Sequence, residues 1–178
     1  MRINQLVWQH GGLAALIAII ISLVAYIMGV EMLVGWQIGL AQSLLIITTM
    51  IVVSRSIRQD EDGVIDFTRL LIHIMIAVGC ILVSSLVFNL VLFNLIDPDL
   101  IDIVADITLE KVEEMIKSFG FKGDALEETL AETELGIRNG YTLWGGFLGL
   151  IYSSVFWGVI ALIFAAIFKR SPDNKINF

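Results

Sequence analysis

The sequence predicts an all-α integral membrane protein: four transmembrane helices, with an acidic amphipathic helical segment between the third and the fourth. Three observations carry this. Hydrophobic residues make up 57% of the 178 residues and charged ones only 16%, against roughly 25% charged in an ordinary soluble domain. Mean hydropathy is +0.87, more apolar surface than one core of this size absorbs. Four long runs carry no formal charge, while twelve of the 18 carboxylates fall in one stretch, 97–142. No Ser/Gly/Pro-rich linker divides the chain, so residues 1–178 are expected to form a single four-span domain.

The first apolar run, 11–30, is GGLAALIAIIISLVAYIMGV. A bilayer core of about 30 Å needs about 20 such residues. A cleaved signal peptide is the competing expectation, but only Arg2 supplies a basic start and no A-x-A-like site follows, so retention as a span is favoured. The second run, 32–53, follows almost at once, which demands an antiparallel hairpin. Trp36 near its start suits the headgroup layer. Gln37 and Gln42 are expected to glue helices, and Thr48 and Thr49 to hydrogen-bond their own helix.

The connection SRSIRQDEDGVIDFTR carries a turn signal in Asp62-Gly63, and Asp66 is placed to cap a helix starting at Phe67. The third span, 70–96, is long enough that it must tilt or protrude. Asp97-Pro98 then predicts a new helix with Asp97 as N-cap and Pro98 in its first turn. Across 98–119 the apolar residues Leu100, Ile103, Val104, Ile107, Val112, Met115, Ile116 and Phe119 recur at helical spacing between carboxylates. The stretch 119–123 should break this helix, and Asp124 with Glu127 resembles the capping box of a second one.

The fourth span, 143–168, is rich in glycine, and Gly145, Gly149 and Ser153 repeat every four residues. The first span has a matching stripe in Gly11, Ala15, Ala18, Ser22, Ala25 and Gly29. Small residues at this spacing allow close helix packing, within the bundle or between copies. Seven basic residues lie at the end holding both termini and four, Lys111, Lys117, Lys122 and Arg138, in segment 97–142. This favours a cytoplasmic inner membrane location with both termini cytoplasmic and 97–142 extracytoplasmic. That segment has a formal charge of −8, which disfavours nucleic acid.

EDGVIDFTRLL before the third span, NLVLFNLIDPDLID at its exit and the glycine-rich last span closed by Lys169-Arg170 resemble a bacterial family of small four-span membrane proteins catalogued as a domain of unknown function. The resemblance implies four spans and a loop between the third and fourth. It implies no activity and no catalytic residues.

Chemistry-bearing residues are few. His73, Asn89 and Asn94 are the intramembrane polar candidates: His73 for a partly wet site or a proton relay, the asparagines for interhelical hydrogen bonds. His10 shares the side of His73, yet two histidines make a poor metal site. Asp99, Asp102 and Asp106 share a helix side, although the loop geometry calcium requires is missing. Cys80 is read as a small buried hydrophobe. No nucleotide, zinc or nucleophile motif occurs, so no enzyme, cofactor or metal is expected. The expectation is an accessory, assembly or scaffolding subunit that works by protein–protein contacts. Its partners are the lipid bilayer and a membrane protein or second copy, met by Leu100, Ile103, Ile107 and Met115. An oligomeric channel or a small-solute or ion transporter is the alternative.

Overall fold

The computed structural model describes residues 2–60, 65–118, 120 and 123–169. They form α1 (Arg2–Met28), α2 (Val30–Leu33), α3 (Trp36–Asp60), α4 (Phe67–Val91) continued by a π-helical turn (Leu92–Ile96), α5 (Leu100–Ser118), α6 (Asp124–Gly140) and α7 (Leu143–Phe168). Four segments, Gln5–Met28, Trp36–Asp60, Phe67–Ile96 and Leu143–Phe168, are long and apolar enough to cross a bilayer, which makes this a multi-pass membrane protein. Asp62-Gly63, Phe119, Phe121 and Lys122 lie outside the described residues.

The ends of the spans depart from the apolar runs for local reasons. Gly29, at φ 121°, stops α1 in a conformation open to glycine, and α2 fills the connection, so the second span starts at Trp36 instead of 32. Past 53 that span continues to Asp60, because charged side chains leaving hydrocarbon do not break a helix. The third span starts where its cap predicts, with the Asp66 carboxylate accepting from the N–H groups of Thr68 (3.0 Å) and Arg69 (3.4 Å). It does not end as an α-helix. The Asp97 N–H donates to the Leu92 carbonyl at 2.9 Å, five residues back, which is the spacing of a π turn.

The spans alternate in direction, with α4 packed against α1, α3 and α7, and α3 against α1 and α7. The main core joins Val7, Ala14 and Ala18 of α1 to Met50, Val53 and Ile57 of α3, Leu70, Ile74 and Val78 of α4, and Trp157, Ala161 and Ala165 of α7. It therefore sits toward the end of the bundle where α1 starts and α7 stops. The outer faces stay apolar and exposed, as at Leu13, Leu16, Val155, Phe156 and Ile163. Such continuous apolar surface suits lipid contact.

A second core lies at the opposite, loop end, where Leu92, Phe93, Leu100 and Val104 pack with Tyr26, Val30, Leu33, Ile137 and Tyr141. It seats the hairpin α5–α6 on the bundle. Two expected caps are corrected here. Asp97 does not cap a helix starting at Pro98: α5 starts at Leu100, and the Asp97 carboxylate is engaged by the Tyr26 hydroxyl, which donates at 3.0 Å. The N-cap of α6 is Gly123, at φ 68° and without a side-chain bond, so Asp124 is the first helical residue.

Candidate functional site

The small-residue stripes occupy different surroundings. On α1, Gly11, Ala15 and Ser22 are buried, and a Cβ on Gly11 would stand 3.1 Å from the Ala77 Cα of α4, a close approach of two backbones. On α7, a Cβ on Gly145 would run into the carbonyl of Asn139 in the preceding turn, whereas one on Gly149 would meet nothing within 4 Å. The buried face of α7 is instead Trp157, Ala161 and Ala165.

Helix α5 divides along its length. Leu100, Val104 and Ala105 are buried, so Leu100 is corrected from a partner contact to an anchor of the hairpin's own base. Ile103 (44%) and Met115 (54%) are exposed, and Ile107 is half-buried. Arg138 of α6 donates to Asp102 at 2.5 Å and to Glu134 at 2.9 Å. Its guanidinium pKa is raised, first by the Asp102 hydrogen bond and then by that to Glu134. The pair is exposed and screened, so it fixes hairpin geometry more than stability. Asp102 thus faces a cation of the chain, and no group of three His, Cys, Asp or Glu among the described residues is arranged to hold a metal.

The two histidines sit in separate hydrogen bonds. His73 is buried, its Nδ1–H donating to the Arg69 carbonyl at 2.5 Å, one turn back on its own helix. His10 Nε2 lies 3.3 Å from the Ser56 hydroxyl.

The asparagines point to the loop end. Asn94, in the π turn, donates to the carbonyls of Leu90 (3.0 Å) and Tyr141 (3.1 Å), tying α4 to the start of α7. Tyr141 also stacks on Phe93 at 4.0 Å, and burial pushes its phenol pKa up. Asn89 faces a cleft of about 340 Å³ whose polar wall is Gln42, Ser85, Asn89, Tyr141 and Ser153 and whose apolar wall includes Ile81, Leu86 and Leu150. A smaller cavity of about 180 Å³ shares Gln42, Asn89 and Tyr141 and reaches Ser22. Sequence reading singled out Asn89 and Gln42 and named Ser153 for helix packing, but missed Ser85 and Tyr141. Helical spacing carried a signal, since Ser85 and Asn89 are four apart on α4, as Gly145, Gly149 and Ser153 are on α7.

On the lipid-facing side, α1 and α4 leave a groove of about 700 Å³ lined by Trp8, Gly12, Leu16, Ile76, Gly79 and Cys80. Its chemistry is that of a hydrocarbon contact.

Residues 9–170 match a family model described as "Protein of unknown function (DUF4199)". No curated protein and no solved structure matches the chain.

Proposed function

This chain belongs to the DUF4199 family, and from that premise we propose that it acts by protein–protein contacts, as an accessory, assembly or scaffolding subunit in the cytoplasmic membrane, with no catalytic step. One observation carries the reading. Beyond Ala105, α5 has no buried residue, and α6 has none among those described. The hairpin is thus anchored at its base, while Met115 and Leu135 stand exposed among carboxylates. An acidic surface with apolar side chains left uncovered is suited to a protein partner and repels anionic headgroups. Basic residues at the far end, Arg55, Arg58, Arg69 and Lys169, support a cytoplasmic placement of that end and an extracytoplasmic hairpin.

The test is photocrosslinking in intact native membranes, with a photoreactive residue at Met115 and, as an internal control, at Leu100. Met115 is expected to capture a second polypeptide or a second copy, and Leu100 only its own chain. Capture of lipid and own-chain segments alone at Met115 would overturn the reading. A channel or small-solute transporter is a second reading favoured by the polar cleft. That cleft offers no charged side chain to replace the hydration of an ion.

A further inference from the structure

Polar side chains inside a membrane span are costly unless paired, and several here are paired in the ordinary way. Ser22, Thr49 and Ser54 return their hydroxyls to carbonyls of their own helices, Ala18, Leu45 and Met50. The cleft at the loop end is different. The side chains of Ser85, Asn89 and Ser153 make no hydrogen bond to any described residue, and that of Gln42 uses only its amide N–H, donating to the Ser22 hydroxyl at 2.9 Å. Four polar side chains from α3, α4 and α7 therefore converge on one space with donors and acceptors to spare.

The lining defines what fits. No Asp, Glu, Lys, Arg or His borders either cavity, so a charged headgroup finds no counter-charge. Ile46, Ile81, Leu82, Leu86, Leu90 and Leu150 supply the rest of the wall, so a wholly polar solute loses hydration without replacement. Tyr141, just before α7, puts the mouth at the headgroup layer, and the eight helical steps from Gly145 to Ser153 give a depth of roughly 12 Å at the helical rise. We infer that this cleft binds an uncharged amphiphile: a head bearing ester, carbonyl or hydroxyl groups held by Gln42, Ser85, Asn89 and Ser153, and an apolar chain lying along the leucine and isoleucine wall. The rim, where Asn89 and Gly149 are exposed, is the way in from the bilayer. This assignment stands whether or not the hairpin docks a partner.

The experiment uses the full chain in nanodiscs with two photoreactive probes of equal acyl chains, a diacylglycerol and a phosphatidic acid. The neutral probe is expected to label 81–90 and 145–153 saturably, to be displaced by unlabelled diacylglycerol, and to exceed the charged probe. Replacing Asn89→Leu removes a neutral hydrogen bond and is expected to weaken labelling about threefold to tenfold. If that variant does not elute as a monodisperse species, Ser153→Val takes its place with the same expectation. The assignment is overturned if both probes label alike and without saturation, if labelling concentrates in the groove between α1 and α4, or if folded variants label as the unmodified chain does.

Discussion

Where α1 begins and α7 ends, the interior of the bundle is filled by large side chains: Met50, Ile57, Leu70 and Ile74 are all fully buried. At the loop end α7 carries Gly145, Gly146 and Gly149 in place of such residues, the cleft opens, and α4 finishes in a π turn. The difference separates two tasks. One end supplies the packing that holds four helices together where lipid gives no hydrophobic drive. The other leaves polar groups and a hairpin available for contact.

The largest expected effect breaks the packed end. Ile74→Ala leaves a void in the main core and should lower the stability of the whole bundle by about 2 kcal/mol or more, measured by reversible unfolding in mixed micelles. Leu100→Ala removes a side chain equally buried, but in the second core. It should raise amide hydrogen exchange along α5 about tenfold or more, while exchange in α1 and α4 stays unchanged. If Leu100→Ala unfolds the bundle as readily as Ile74→Ala does, the two ends are one cooperative unit and the division fails.

The parts legible in the sequence are those set by short-range chemistry. Charge-free length gave the four spans, the Asp66 position gave the start of α4, and the spacing of Gly11, Ala15 and Ser22 marked a face that the structure buries. Features that depend on a distant partner were not legible. Periodicity placed Leu100, Ile103 and Met115 on an apolar stripe, but it does not say that the first of them joins a second core against which Tyr26 and Val30 pack. The π turn depends on contacts such as that from Asn94 to the Tyr141 carbonyl, 47 residues away, and nothing local in LFNLI announces it. The cleft was half-visible for the same reason: Ser85 and Asn89 pair by spacing on α4, yet their convergence with Gln42 and Ser153 is a property of the bundle.

A smaller effect sharpens the comparison within α7. Gly145 and Gly149 look equivalent in the sequence. A methyl at 145 collides with the Asn139 carbonyl, which already accepts from the Thr142 N–H and hydroxyl. Gly145→Ala is therefore expected to cost about 1–3 kcal/mol, the range of an overpacked site. Gly149→Ala has open space around it and should leave stability unchanged or raise it by up to about 1 kcal/mol through helix propensity. The same unfolding measurement reads both, and equal costs would mean that α7 packs as tightly at the loop end as at the core.

The smallest effect compares two N-caps. Asp66 accepts from two N–H groups at the start of α4, a turn before the buried Leu70 and His73, whereas the Thr142 hydroxyl accepts from the Gly145 N–H at 3.0 Å beside the cleft. Removing either cap should cost about 1 kcal/mol. The loss at Asp66→Ala falls on the helix that touches every other span, so it should appear in the global unfolding midpoint. At Thr142→Ala it should appear only as faster exchange of the Gly145 and Gly146 amides, because the first turns of α7 carry no buried side chain. Asn caps nearly as well as Asp, so Asp66→Asn is expected to restore the midpoint. If it does not, the carboxylate acts through its charge, and the start of α4 is held by electrostatics in place of a cap.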